Sequence, residues 1–184
     1  MQAIESKVVV GRNVFVAPGS YVGGDVALGD DCTVMYHVVI RGDVSPIRIG
    51  NRVNIQDGSI LHTHAGVPLI IGDDVSIGHM VIVHCKSVGA GTLIGNGAIV
   101  LDDSEIGSQC IIAAGAVVTP KTVIPDHKVV MGVPATVVRD VTEADVEYMG
   151  LVVRSYMKLG QLHAAGRYPG FQPDRQGSVS PSSR

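Results

Sequence analysis

Residues 88–130 read VGAGTLIGNGAIVLDDSEIGSQCIIAAGAVVTPKTVIPDHKVV. An aliphatic residue returns every six positions: Val88, Ile94, Val100, Ile106, Ile112, Val118, Ile124 and Val130. Neither an α-helix nor a simple alternating strand has a six-residue period. A short strand plus a corner does, and three such units close one turn of a triangular solenoid. Upstream, Val10, Val16, Val22, Leu28, Val34 and Ile40 keep the same step, followed by shorter runs at Ile49, Ile55, Leu61 and at Ile71, Ile77, Val83. Glycine often comes next, as at positions 11, 29, 50, 72, 89 and 107. That placement suggests a corner whose unusual backbone angles only a residue without a Cβ tolerates. The units amount to six or seven coils and, at ~4.8 Å per coil, a prism on the order of 30 Å tall.

Composition agrees with one small slot used many times. The chain has 184 residues, enough for one well-buried domain. It is 46% hydrophobic yet carries only 2 Phe, 5 Tyr and no Trp, so its core is built from Val, Ile and Ala. A net charge of −3 offers no basic face to a nucleic acid. No apolar run approaches the roughly 20 residues that span a bilayer, and residues 1–13 hold no long apolar core or small-residue cleavage site, so export is not expected. The expectation is a cytoplasmic protein with no nucleic-acid or membrane partner. Cys32, Cys85 and Cys110 lie far apart in the chain and read as reduced core residues.

The repeat ends near GVPATVVRD at 132–140. Thr142 with Asp145 forms an N-cap pattern, and Val146, Met149, Val153, Tyr156 and Gly160 then recur at helical spacing. The expected organisation is a β-helix domain over 1–137 and a helix over 142–164 packed on a prism face. A Pro-, Ser- and Gly-rich tail over 169–184 is expected to be mobile.

Two breaks interrupt the period. Nine positions separate Ile40 from Ile49, and ten separate Leu61 from Ile71. Insertions in a solenoid leave as loops, where sites are built. Four of the seven histidines, His62, His64, His79 and His84, lie in or beside the second break. Leu61 and Val83 are 22 residues apart, one 18-residue coil plus the four-residue excursion. The histidine that follows each, His62 and His84, is therefore expected to stack at a backbone separation of about 5 Å, suited to one metal ion. His79 precedes His84 by five residues and lies roughly 12 to 16 Å away, too far to share that ion. A third ligand from His79 has to come from another chain, and a cyclic trimer supplies it. His37 and His127 are expected on coil surfaces, and His163 near the end of the helix.

The six-residue pattern resembles the hexapeptide-repeat, left-handed β-helix proteins over residues 8–135, and that resemblance supplies the left hand. RGDV at 41–44, NIQDGSILH at 54–62 and IGHMVIVHC at 77–85 carry a second, narrower one, to the compact branch of the gamma-class carbonic anhydrases. It implies an all-β solenoid with a C-terminal α-helix, assembled as a homotrimer around Zn2+, or Fe2+ or Co2+. The metal ligands it implies are His62, His79 and His84. Gln56 holds the metal-bound water and Asn54 supports it. Arg41, Asp43 and Asp57 are the interface Arg and its acidic partners. His64 as a proton relay and Tyr156 as a pocket wall complete the set.

Three imidazoles leave a tetrahedral cation one open position. The ion lowers the pKa of water there toward ~7, and the hydroxide attacks carbon dioxide to give bicarbonate. The chain departs from better-known members in two respects. Val44 follows Asp43 where a glutamate is common, and the THAGVP loop has no carboxylate. Arg154 and Ser155 precede Tyr156 where many compact members place Asn. Hydrolysis of an acyl-CoA thioester, a non-catalytic structural or assembly role, and hexapeptide acyltransfer are the alternative readings.

Overall fold

The computed structural model describes residues 6–170. The expected mobile tail lies almost wholly outside the described residues, as do residues 1–5.

Short parallel strands stack into a β-solenoid of about seven turns with one C-terminal helix. Each coil has three sides. The first face stacks Ile60–His62, Ile82–Val83, Ile99–Val100 and Val117–Val118. The second stacks Leu69–Ile71, Ser87–Val88, Glu105–Ile106 and Val123–Ile124. The third stacks Phe15–Val16, Thr33–Val34, Asn54–Ile55, Ser76–Ile77, Leu93–Ile94 and Ile111–Ile112. The aliphatic residues at the six-step positions point inward. Ile40, Leu61, Val83, Val100 and Val118 form one fully buried column. Only the first coil departs: Val10 and Val16 are exposed, because among the described residues no coil lies beneath them. All three cysteines are free and buried, and burial pushes the Cys32 thiol up to about 11 and Cys85 up to about 12.

The glycines have a different reason from the one the sequence suggests. Those that follow the aliphatic residue do not have positive φ. A Cβ at Gly89 would lie 2.4 Å from the Ser108 nitrogen, and one at Gly95 would lie 2.5 Å from the Ala114 nitrogen. These positions need glycine because the next coil's backbone passes too close for a side chain. The left-handed residue comes two positions later and is often not glycine: Asp31, His37, Arg52, Met80, Gln109 and His127 all occupy it.

The breaks also differ from expectation. The first does not leave as a loop. Val39–Ile49 is one continuous strand that turns the corner, pairing with Tyr21–Leu28 through a bulge beyond Gly24. The second does leave as a turn, at residues 64–67. A third irregularity was hidden by the restart of the period: the step from Val83 to Val88 is five, and the coil there closes in 17 residues (Ile82 pairs with Ile99).

A hairpin of Lys128–Gly132 and Ala135–Asp140 ends the prism and leads into helix α1, Glu143–Ala164. Thr142 and Asp145 form the full capping box. Arg139, at 2.5 Å, holds the Asp145 carboxyl well below the usual carboxylate range. The helix lies along the third face, against the strands at 15–16, 33–34, 54–55 and 76–77. Met149, Val153 and Gly160 are buried there, Tyr156 is half-buried, and Val146 stays exposed at the first turn. Thr33 Oγ1 donates to the Tyr156 carbonyl at 3.1 Å, and a Cβ on Gly160 would lie 2.5 Å from that same oxygen.

The two kinds of glycine should respond differently to substitution. Gly89→Ala is expected to cost about 2–3 kcal/mol in urea unfolding, through backbone overpacking. Gly97→Asn, at φ +69° with open space around its Cβ, should cost under about 1 kcal/mol. Equal losses would contradict the close-approach account.

Candidate metal centre

The first face ends in a corner at each side, and each corner carries part of the predicted site. At one corner Arg41, His62 and His84 occupy the same position on three consecutive coils, following from the pairing of Arg41 with His62 and of Leu61 with Val83. His62 Nδ1 and His84 Nε2 face each other at 3.1 Å. Two nitrogens on a tetrahedral zinc with ~2.0–2.1 Å bonds stand about 3.3 Å apart, so this pair fits a shared cation. Their other nitrogens meet carboxylates: His62 Nε2 lies 3.2 Å from Asp43, and His84 Nδ1 lies 2.6 Å from Asp102. Such partners fix the orientation of an imidazole and raise its basicity. Burial pushes the His62 pKa down against the opposing pull of Asp43, favouring the neutral ring that a cation requires. Arg41 grips Asp43 at 2.7 Å and holds its carboxyl below the usual range.

At the other corner stands His79. Asn96 Oδ1 accepts from its backbone N–H at 3.0 Å, and Gly78 leaves room for that amide, which a Cβ would approach to 2.4 Å. His79 Nδ1 lies 3.0 Å from Asp57. Its Nε2 is 3.4 Å from the Tyr156 hydroxyl on α1. Burial raises the Tyr156 pKa, with the Asp57 charge adding to it. Gln56 is on the adjacent coil, its N–H donating to Ile77 O at 2.9 Å, and its side chain donates to Asn54 Oδ1 at 3.1 Å. Asn54 in turn donates to Ser76 at 2.7 Å. Gln56, His79 and Tyr156 line one end of a cleft of about 400 Å³ between α1 and the third face.

The chain thus brings His62 and His84 together but separates them from His79, Gln56 and Asn54. Among the described residues no three His, Cys, Asp or Glu side chains converge on one point. Asp57 sits with His79 within the chain and not with Arg41, where the resemblance had grouped it. His64 lies at the rim beyond His62, 3.3 Å from Asp103. Sequence reasoning missed Asp102 and Asp103. Asp102 lies 18 residues after His84, the length of an ordinary coil, while the local 17-residue register sets it one step beyond the residue level with His84.

The fold defines a hexapeptide-repeat solenoid, and residues 7–42 and 86–120 match the bacterial transferase hexapeptide (six repeats) family. The chain is 45% identical over 156 residues to a carbonic anhydrase of Geobacillus kaustophilus, covering 85% of this chain and 86% of that one. It is 33% identical to the mitochondrial gamma carbonic anhydrase 2 of Arabidopsis thaliana, spanning 94% of this chain but only 64% of that protein's length. A Bacillus cereus structure with a provisional acetyltransferase description superposes at a TM-score of 0.85 with 40% identity, covering 88% of this chain and 94% of that one. The chain belongs to the gamma carbonic anhydrase-like hexapeptide-repeat family.

If Asp102 orients His84 toward a cation, Asp102→Ala should lower zinc affinity by roughly 10–100-fold in chelator competition, with the melting temperature nearly unchanged. Undiminished affinity would remove Asp102 from the centre.

Proposed function

We propose that the chain forms a homotrimer with three interface sites and catalyses the reversible hydration of carbon dioxide to bicarbonate. The observation that carries this reading is the bracketing of one face by two incomplete half-sites. His62 and His84 stand at one corner of the first face and His79 at the other. Tyr21, Ile60 and Ile82 stand exposed on the face between them, and Met80 in the corner beside His79. Turning that face toward a threefold axis would bury these side chains and bring His79 of one chain beside His62 and His84 of the next. The carbonic anhydrase names of the relatives support the same chemistry.

Zn2+ fits the three imidazoles and would supply an open, electrophilic position that lowers the pKa of water to near neutrality; Fe2+ or Co2+ suits the same donors. Around it, Asp43, Asp57 and Asp102 hold the three rings in place. Gln56, fixed by Asn54 and Ser76, would orient the attacking water from the His79 side. Tyr156 would wall the same side. Arg41 and Asp43 lie where the next chain's corner would arrive, and Asp57 would meet Arg41 across that contact.

One observation favours a second reading. The cleft beside His79, walled by Leu93, Tyr148 and Val152, is far larger than carbon dioxide needs and would admit the acyl part of a thioester.

Stopped-flow hydration assays with the metals quantified in the same anaerobic sample test the first reading. Activity should scale with metal content and vanish in His84→Ala. A fully metallated trimer that is inactive on carbon dioxide but cleaves acyl thioesters would establish the second. His79→Ala and His84→Ala should each abolish metal binding, and mixing the two should restore part of it. Verified mixed trimers that stay metal-free would exclude a site shared between chains.

A further inference from the structure

The flank of α1 away from His79 carries a groove that the proposed chemistry does not use. Its volume is about 610 Å³, and it runs between the helix and the corner joining the second and third faces. Met149, Val153 and Met157 make its apolar wall. Ser108, Gln109 and His127 line the prism side. The corner it follows is not part of the face bracketed by the histidine half-sites, so the groove stays open in the proposed trimer.

Two features set the charge and shape of the groove. The first is Arg154. Arg12, Arg41, Arg48, Arg52 and Arg139 each pair with a carboxylate. Arg52 lies on the same rim and is locked to Asp74 at 2.6 Å. Arg154 and Arg167 are exposed and have no side-chain hydrogen-bond or ion-pair partner among the described residues, and of the two only Arg154 lines the groove. The second is Gly150, in the body of α1, where glycine costs about 1 kcal/mol relative to alanine. Arg154 Nη1 lies 3.0 Å from the point a Cβ on Gly150 would occupy. The guanidinium thus lies close over the bare backbone of Gly150.

We propose that this groove binds a small amphiphile, with a carboxylate or phosphate head against Arg154 and a hydrocarbon body along Met149, Val153 and Met157. Charge and shape agree: a planar cation at the lip offers two parallel donors to an oxyanion, and the flexible thioethers adapt to an alkyl chain. The ligand would be held by the helix and the prism together.

The test uses the full-length, metal-loaded protein labelled at the methionine methyls. It is titrated with octanoate and octyl phosphate, and with octanol and acetate as controls. Saturable shifts at Met149 and Met157 are expected for the two octyl anions, the tighter of them naming the head group. Arg154→Gln should weaken binding about tenfold or more. Gly150→Ala should weaken it too while leaving the melting temperature level or raised, which separates displacement of the guanidinium from loss of the fold. Chelated protein should bind equally well, so failure of the metal assignment leaves the result intact. Octanol binding as tightly as octanoate, an unaffected Arg154→Gln variant, or no saturable shift up to the solubility limit would overturn the proposal.

Discussion

Each coil of this protein must close in register on the one beneath it. The backbone of one coil donates along its whole length to the next, as His84 N does to Val100 O and Gln56 N to Ile77 O. That ladder requires inward aliphatic side chains of similar size and corners bare enough for two backbones to pass. With 18 residues per turn, as from Leu93 to Ile111, the requirement is met by repetition. Where turns take 21, 22 or 17 residues, the ladder survives and the surplus or deficit is confined to corners. Arg41, His62 and His84 sit at the corner that takes up these differences, whereas His79 sits at a corner of regular six-residue step.

The period made the solenoid legible, and the capping residues Thr142 and Asp145 made the start of the helix legible. The same period misled at the glycines. A six-residue step cannot distinguish a glycine needed for its angles from one needed for its missing Cβ, and only the neighbouring coil decides. The extended strand at 39–49 was opaque for a related reason: three extra residues look like a loop unless the partner strand lengthens too, as Tyr21–Leu28 does. Within the site, the stacking of His62 and His84 followed from counting 22 residues as a coil plus an excursion. The carboxylates did not follow. Yet the same count reaches them: Asp57 precedes His79 by 22 residues, as Ile55 precedes Ile77, and Asp102 follows His84 by 18.

In the proposed trimer, dividing the centre between two corners separates its tasks. One corner supplies two nitrogens already at cation spacing, backed by Asp43 and Asp102. The other supplies one nitrogen, the Gln56 and Asn54 chain, and the Tyr156 hydroxyl. Tyr156 reaches His79 because α1 is pinned on the third face by Thr33, with Gly160 as the contact that allows it. The helix is therefore a structural part of the His79 corner.

The placement of that helix also orders folding in time. Successive coils join residues 17 to 22 positions apart, so each costs nearly the same loop-closure entropy as the last. The solenoid can grow like a zipper from whichever coil forms first. Helix α1 is the exception: its contact from Tyr156 to Thr33 spans 123 residues, and its C-terminal turn reaches back to Phe15 and Tyr36 on the earliest coils. A chain emerging from the ribosome completes every coil before it makes the helix. The His79 corner, alone among the parts of the site, must wait for the last element of the described chain to be synthesised and to dock.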